Sequence, residues 1–150
     1  MKIGAGWTYE KPLTGPDVVR DYARLCGVEL PWWLVDFLVE HNAGRPPERE
    51  FETEDGRACV FKCLFSYDPH GYDTVYAAHD ALVDAGVSPA LYPIGCDPFG
   101  NIVCFDTDEH RYAFVDHETG DVDGIICSSN PELFPCHADE GRDGGEERKR

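Results

Sequence analysis

From Leu91 to Cys127 the chain alternates short runs of β-forming residues with turn signals, and this punctuation constrains the fold most. Leu91–Ile94 leads into Asp97-Pro98-Phe99-Gly100, where Asp, Pro and Gly hold the preferred positions of a type I turn. Ile102–Phe105 leaves that turn and Tyr112–Val115 follows a polar link. Glu118-Thr119-Gly120-Asp121 is the next turn, and Ile125–Cys127 ends the series. Consecutive strands joined by links this short read as an antiparallel meander.

The first half of the chain has a different period. Residues 1–13 show none and are expected to form a loosely ordered arm. Pro16 suits the first position of a helix, and Asp17 follows where the helix dipole favours an acid. Val18, Tyr22, Leu25 and Cys26 recur at helical spacing, and Gly27 supplies a stop. Leu30-Pro31 starts a second helix with a buried stripe of Leu34, Phe37, Leu38 and His41 and with Trp33 alongside. Asn42-Ala43-Gly44 ends it, and Pro46-Pro47 prevents its resumption. Ala58–Phe65 is an apolar run suited to a strand covered on both faces. Asp73–Ala85 returns to helical spacing through Val75, Ala78, His79 and Leu82 and stops at Gly86.

The resulting expectation is a single α+β domain over residues 14–137. N-terminal helices pack on a mainly antiparallel sheet, with one further helix after the first strand. Pro131 and Pro135 limit any last helix to a turn or two. Residues 138–150, charged and Gly-rich, are expected to be a disordered tail.

Charge narrows the function. The stretch from Phe51 to Phe134 carries 16 acidic residues and three basic ones, Arg57, Lys62 and Arg111. It therefore supplies −13 of the formal net charge of −16. Solubility alone asks for a magnitude of roughly 2–8 in a small domain. A field of this sign repels nucleic acid and anionic membranes, and it speeds encounter with a basic partner. No apolar run approaches the ~20 residues of a membrane span, and the first residues lack the apolar stretch of a signal peptide. These features read as a cytoplasmic protein. Its seven cysteines are then free, mostly buried thiols rather than a disulfide framework.

The residues offer little catalytic pattern. Asp97, Asp106, Asp108, His110, Asp116 and His117 cluster on the meander links, but turns favour Asp and no spacing matches a metal motif. Cys59 and Cys63 stand about 13 Å apart if both lie on one strand, too far to chelate one ion together. No metal, cofactor or catalytic residue is therefore assigned. Trp32 and Trp33 are adjacent, so on a helix they diverge by about 100°. One of them can face outward.

Three segments then carry a family resemblance. Residues 30–46, LPWWLVDFLVEHNAGRP, resemble the "LP…fL…NGG.P" signature of the SUKH superfamily, with Ala43 where that family usually has Gly. Residues 91–106, LYPIGCDPFGNIVCFD, resemble its "l.pia.D..Gn.i..d" hairpin, and Phe114-Val115-Asp116-His117 its "v...dh" strand end. Together they span roughly residues 16–136. The closing helix of the family is poorly kept, with Ser128–Pro135 in its place. The resemblance implies an immunity-protein domain of the kind found beside bacterial polymorphic toxins, whose surface is reused against different toxins, many of them nucleases.

The function expected is thus a non-enzymatic immunity protein, a monomer or weak dimer, that occludes a basic toxin without touching nucleic acid or membrane. The expected contacts are Asp97, Asp106, Asp108, Glu109, Asp116 and Glu118, with Trp32 or Tyr72 as an aromatic anchor. The alternatives are a regulatory scaffold or adaptor and a small metal-dependent enzyme.

Overall fold

Three helices lie before and between the strands of one antiparallel sheet in the computed structural model, which describes residues 6–136. The helices are α1 (Asp17–Leu25), α2 (Trp32–Glu40) and α3 (Val75–Ala85). The strands are β1 (Glu50–Thr53), β2 (Ala58–Val60), β3 (Cys63–Leu64), β4 (Leu91–Cys96), β5 (Ile102–Asp106), β6 (Arg111–Val115) and β7 (Val122–Ile126). A 3-10 turn follows at Cys127–Ser129. The tail expected at 138–150 lies outside the described residues.

Helix α1 has Asp17 in its first turn and Arg24 in its last, both complementing the dipole. Its buried residues are Val19 and Ala23. The stripe read through Val18 and Leu25 is therefore off by one position, and those two side chains are exposed at 40% and 81%. Tyr22 and Cys26 sit between the two stripes and are partly buried in either register. Periodicity alone could not choose between the two registers.

Helix α2 buries Leu34, Val35 and Leu38. The expected stop at Asn42-Ala43-Gly44 works through two different residues. The left-handed residue is Ala43, at φ +64, whereas Gly44 is needed for space. A Cβ on Gly44 would lie 2.8 Å from the His41 carbonyl and 3.1 Å from the Trp7 ring. Buried Asn42 then ties three segments together. Its Nδ2 donates to the Lys11 carbonyl at 3.0 Å and its Oδ1 accepts from the Tyr67 amide at 3.1 Å. Trp7 stacks on His41 with centroids 4.1 Å apart, and His41 Nδ1 meets Glu10 Oε2. Thr8 and Arg45 exchange backbone hydrogen bonds at 3.0 and 2.8 Å.

The seven strands order as β2-β1-β7-β6-β5-β4-β3, every neighbouring pair antiparallel. The first and last strands of that order are separated by only two residues, Phe61 and Lys62. The sheet must therefore curl until its edges meet. The Phe61 amide donates to Arg49 on the β1 side at 2.7 Å, and the next amide, Lys62, donates to Cys96 on the β4 side at 2.8 Å. The run Ala58–Phe65, expected as one strand, serves both edges. Phe51, Phe61, Tyr92, Phe105 and Phe134 fill the core.

Helix α3 crosses the sheet near β4. Thr74 caps its N-terminus by accepting from the Ala77 amide at 3.2 Å, and Gly86 ends it at φ +73.

Candidate functional site

The meander's alternation sorts the acids picked from sequence. Links β4–β5 (residues 97–101) and β6–β7 (116–121) lie at one end of the sheet, and β5–β6 (107–110) lies at the other. Five-residue strands separate the two ends by about 17 Å. Asp97, Asp116 and Glu118 therefore belong to one end, and Asp106, Asp108 and Glu109 to the opposite one.

At the first end the two turns are joined. Asn101 Oδ1 accepts from the His117 amide at 3.0 Å and contacts its Nδ1 at 2.9 Å. Asn101 Nδ2 donates to Asp97 Oδ2 at 2.9 Å. Asp97 Oδ1 accepts from the Phe99 and Asn101 amides at 2.9 and 2.8 Å. With only 5% of its surface exposed, Asp97 builds the turn and presents little to a partner. Asp116 Oδ1 accepts from the Glu118 and Thr119 amides at 2.8 and 3.2 Å. The Glu118 bond first, and the Thr119 bond after it, hold its carboxyl below the usual range. Glu118 itself is exposed. At the far end Asp106 Oδ1 similarly accepts from the Asp108 and Glu109 amides at 2.9 and 3.1 Å.

A groove of about 550 Å³ opens beside the first end, between the start of α3 and the β3–β4 side of the sheet. Tyr72, Asp73 and Thr74 line one wall; Cys96, Pro98 and Gly100 line the other. Tyr72 is 93% exposed and Phe99, between Pro98 and Gly100, is 75% exposed. Sequence reading named Tyr72 but used Phe99 only as turn filler. A large apolar residue at the tip of an otherwise polar turn was the signal for it.

The groove floor holds a compact polar group. Cys63 and Cys96 face each other across β3 and β4, with Sγ atoms 4.0 Å apart. Asp73 Oδ2 lies 3.7 Å from Cys63 Sγ and 2.9 Å from Lys62 Nζ. The hydrogen bond from Cys96 holds the Cys63 thiol down, and the same bond pushes Cys96 up. The hydrogen bond to Asp73 raises the Lys62 ammonium. Spacing along the sequence could not reveal this group, because Cys63 and Cys96 meet only through strand pairing.

The other aromatic candidate stands elsewhere. Trp32 opens α2 and is 55% exposed, while Trp33 packs edge-on against Phe105 at 5.9 Å. Trp33 also lines a separate cavity of about 330 Å³ with Glu109, His110, Tyr112 and Cys136. The candidate anchors Trp32 and Tyr72 thus stand on separate elements, with Trp33, the neighbour of Trp32, lining a different cavity from Tyr72. No helix among the described residues is long and apolar enough to cross a membrane.

Compared with known proteins, residues 19–132 match the family model SUKH_6, described as SMI1-KNR4 cell-wall. No curated protein and no solved structure matches the chain.

Proposed function

This chain belongs to the SUKH superfamily, through its SMI1-KNR4 cell-wall family, and on that premise we propose that it is an immunity protein without catalytic activity. It neutralises a cognate toxin domain by binding it and covering its working surface. The partner is basic, as a nuclease must be to hold phosphates.

The observation that carries this reading is the pair Tyr72 and Phe99. Tyr72 lines the groove and is 93% exposed, and Phe99, whose chain neighbours Pro98 and Gly100 line it, is 75% exposed. Burying each on a partner removes apolar surface from water and gives the desolvated centre that tight interfaces use. Asp116 and Glu118, on the adjoining turn, supply an acidic rim. Asp106, Asp108 and Glu109, at the far end, add long-range attraction rather than contact.

The test is to search beside this gene for a toxin-like reading frame and to co-express its product with this protein. The unsubstituted protein is expected to restore growth, and the Tyr72→Ser/Phe99→Ser double variant to lose that protection while remaining folded. Full protection by the double variant rules out the groove face. Failure of the unsubstituted protein to protect, with no complex formed, rules out the immunity reading.

A further inference from the structure

Cys63, Cys96 and Asp73 offer three ligand atoms that all lie within 4.8 Å of one another. We propose that they bind a zinc ion at the floor of the groove, with its fourth position open to solvent. In a tetrahedral zinc site the sulfurs stand about 3.8 Å apart, and sulfur and oxygen about 3.5 Å apart, for the usual bond lengths. The structure has 4.0 Å between the sulfurs and 3.7 Å from Cys63 Sγ to Asp73 Oδ2. An ion needs only about 1 Å of movement from Asp73 to complete the geometry, and that side chain is one-third exposed.

Three further features fit an ion. The sulfurs are fixed by direct pairing of Cys63 with Cys96 across an antiparallel ladder, so the soft half of the site is built before any ion arrives. The Asp73 backbone is held in the left-handed region at φ +49, which Asp tolerates better than most residues, and its carbonyl accepts from the Ser66 amide at 2.9 Å. Two thiolates and a carboxylate around a dication leave one negative charge, which Lys62 beside Asp73 neutralises. The groove gives the ion a route in, because Asp73 and Cys96 both line it. A water would occupy the fourth position, as in zinc sites with three protein ligands.

The sulfurs stand far beyond the ~2.05 Å of a disulfide. The same pair could close into one under a peroxide, and the experiment separates that outcome.

The experiment uses the full chain, reduced and stripped of metal, titrated with Zn²⁺ against a chromophoric chelator and separately with Co²⁺. One equivalent of metal and thiolate-to-cobalt charge-transfer absorption are expected. Cys96→Ser should weaken Zn²⁺ binding by more than the about 10–100-fold typical of an outer-shell change. Asp73→Asn, an isosteric change at a side chain one-third exposed, keeps the fold and should still lower affinity at least about tenfold. Cys127→Ser/Cys136→Ser, which removes a second pair of adjacent thiols in the separate cavity beside Trp33, should leave binding unchanged. Absence of binding overturns the proposal. So does binding that survives Cys63→Ser/Cys96→Ser, binding lost only with Cys127 and Cys136, or a Cys63–Cys96 disulfide that resists reduction.

Discussion

The Phe61 ring occupies the space that a side chain on Gly95 would need. A Cβ on Gly95 would lie 2.7 Å from the Cys63 carbonyl oxygen and closer still to that ring. This absence of a side chain lets the segment between β2 and β3 lie flat on β4. Gly95→Ala should therefore destabilise the protein by about 3 kcal/mol, the upper end for overpacking, because a backbone oxygen cannot swing aside. Gly15→Ala, with nothing within 4 Å, should stay within about 0.5 kcal/mol. Urea denaturation of the two variants compares them directly, and equal midpoints would refute the account.

Asp97→Ala removes the acceptor for two amides and the Asn101 side chain at a buried position. A loss of about 2–3 kcal/mol is expected from the donors left without partners. The same change should loosen the β6–β7 turn, since Asn101 also holds His117. Broadened amide resonances at Phe99 and His117 are the readout, and sharp, unshifted ones would contradict it.

Alkaline pH should unfold the protein steeply. Burial pushes the hydroxyls of Tyr67, Tyr92 and Tyr112 well up, and Tyr67 and Tyr92 are hydrogen-bonded to each other. A group whose folded pKa is raised adds stability that is fully present below its unfolded value, near 10 for tyrosine, and is lost as pH climbs beyond it. Each such tyrosine contributes a slope of about 1.4 kcal/mol per pH unit above that point. Denaturation curves between pH 9 and 12, followed by phenolate absorbance, should show the slope and its flattening in Tyr67→Phe. Ionisation of all seven tyrosines near pH 10 without unfolding would count against it.

Association with a basic partner should slow at least about tenfold between low and high salt, as for other charge-steered encounters. Asp116→Lys and Glu118→Lys should add to the loss, with more of the effect on association than on dissociation. A rate indifferent to ionic strength would remove charge from the explanation. Stopped-flow mixing with the isolated toxin domain measures both.

Much of the fold was legible where local chemistry decides. Pro31, the capping at Gly86 and the Asp97–Gly100 turn each leave a mark that survives packing. Strand β1 did not, because Glu50-Phe51-Glu52-Thr53 offers a single large apolar residue and two acids. Nor did the doubling of Ala58–Phe65, since which strand a segment pairs with is a property of the whole sheet. The acids were correctly identified as abundant, but their separation to two ends follows from strand parity. The Cys63–Asp73–Cys96 group of the groove is assembled only by strand pairing and the approach of the loop before α3, neither of which the linear sequence displays.

One stretch of backbone, Phe61 and Lys62, fastens both rims of that sheet. Fraying at one margin pulls on the other, so opening either costs more than it would at an untethered edge strand. The hazard that bare strand margins pose, recruitment of foreign chains into aggregates, is thereby muted by connectivity rather than by charge.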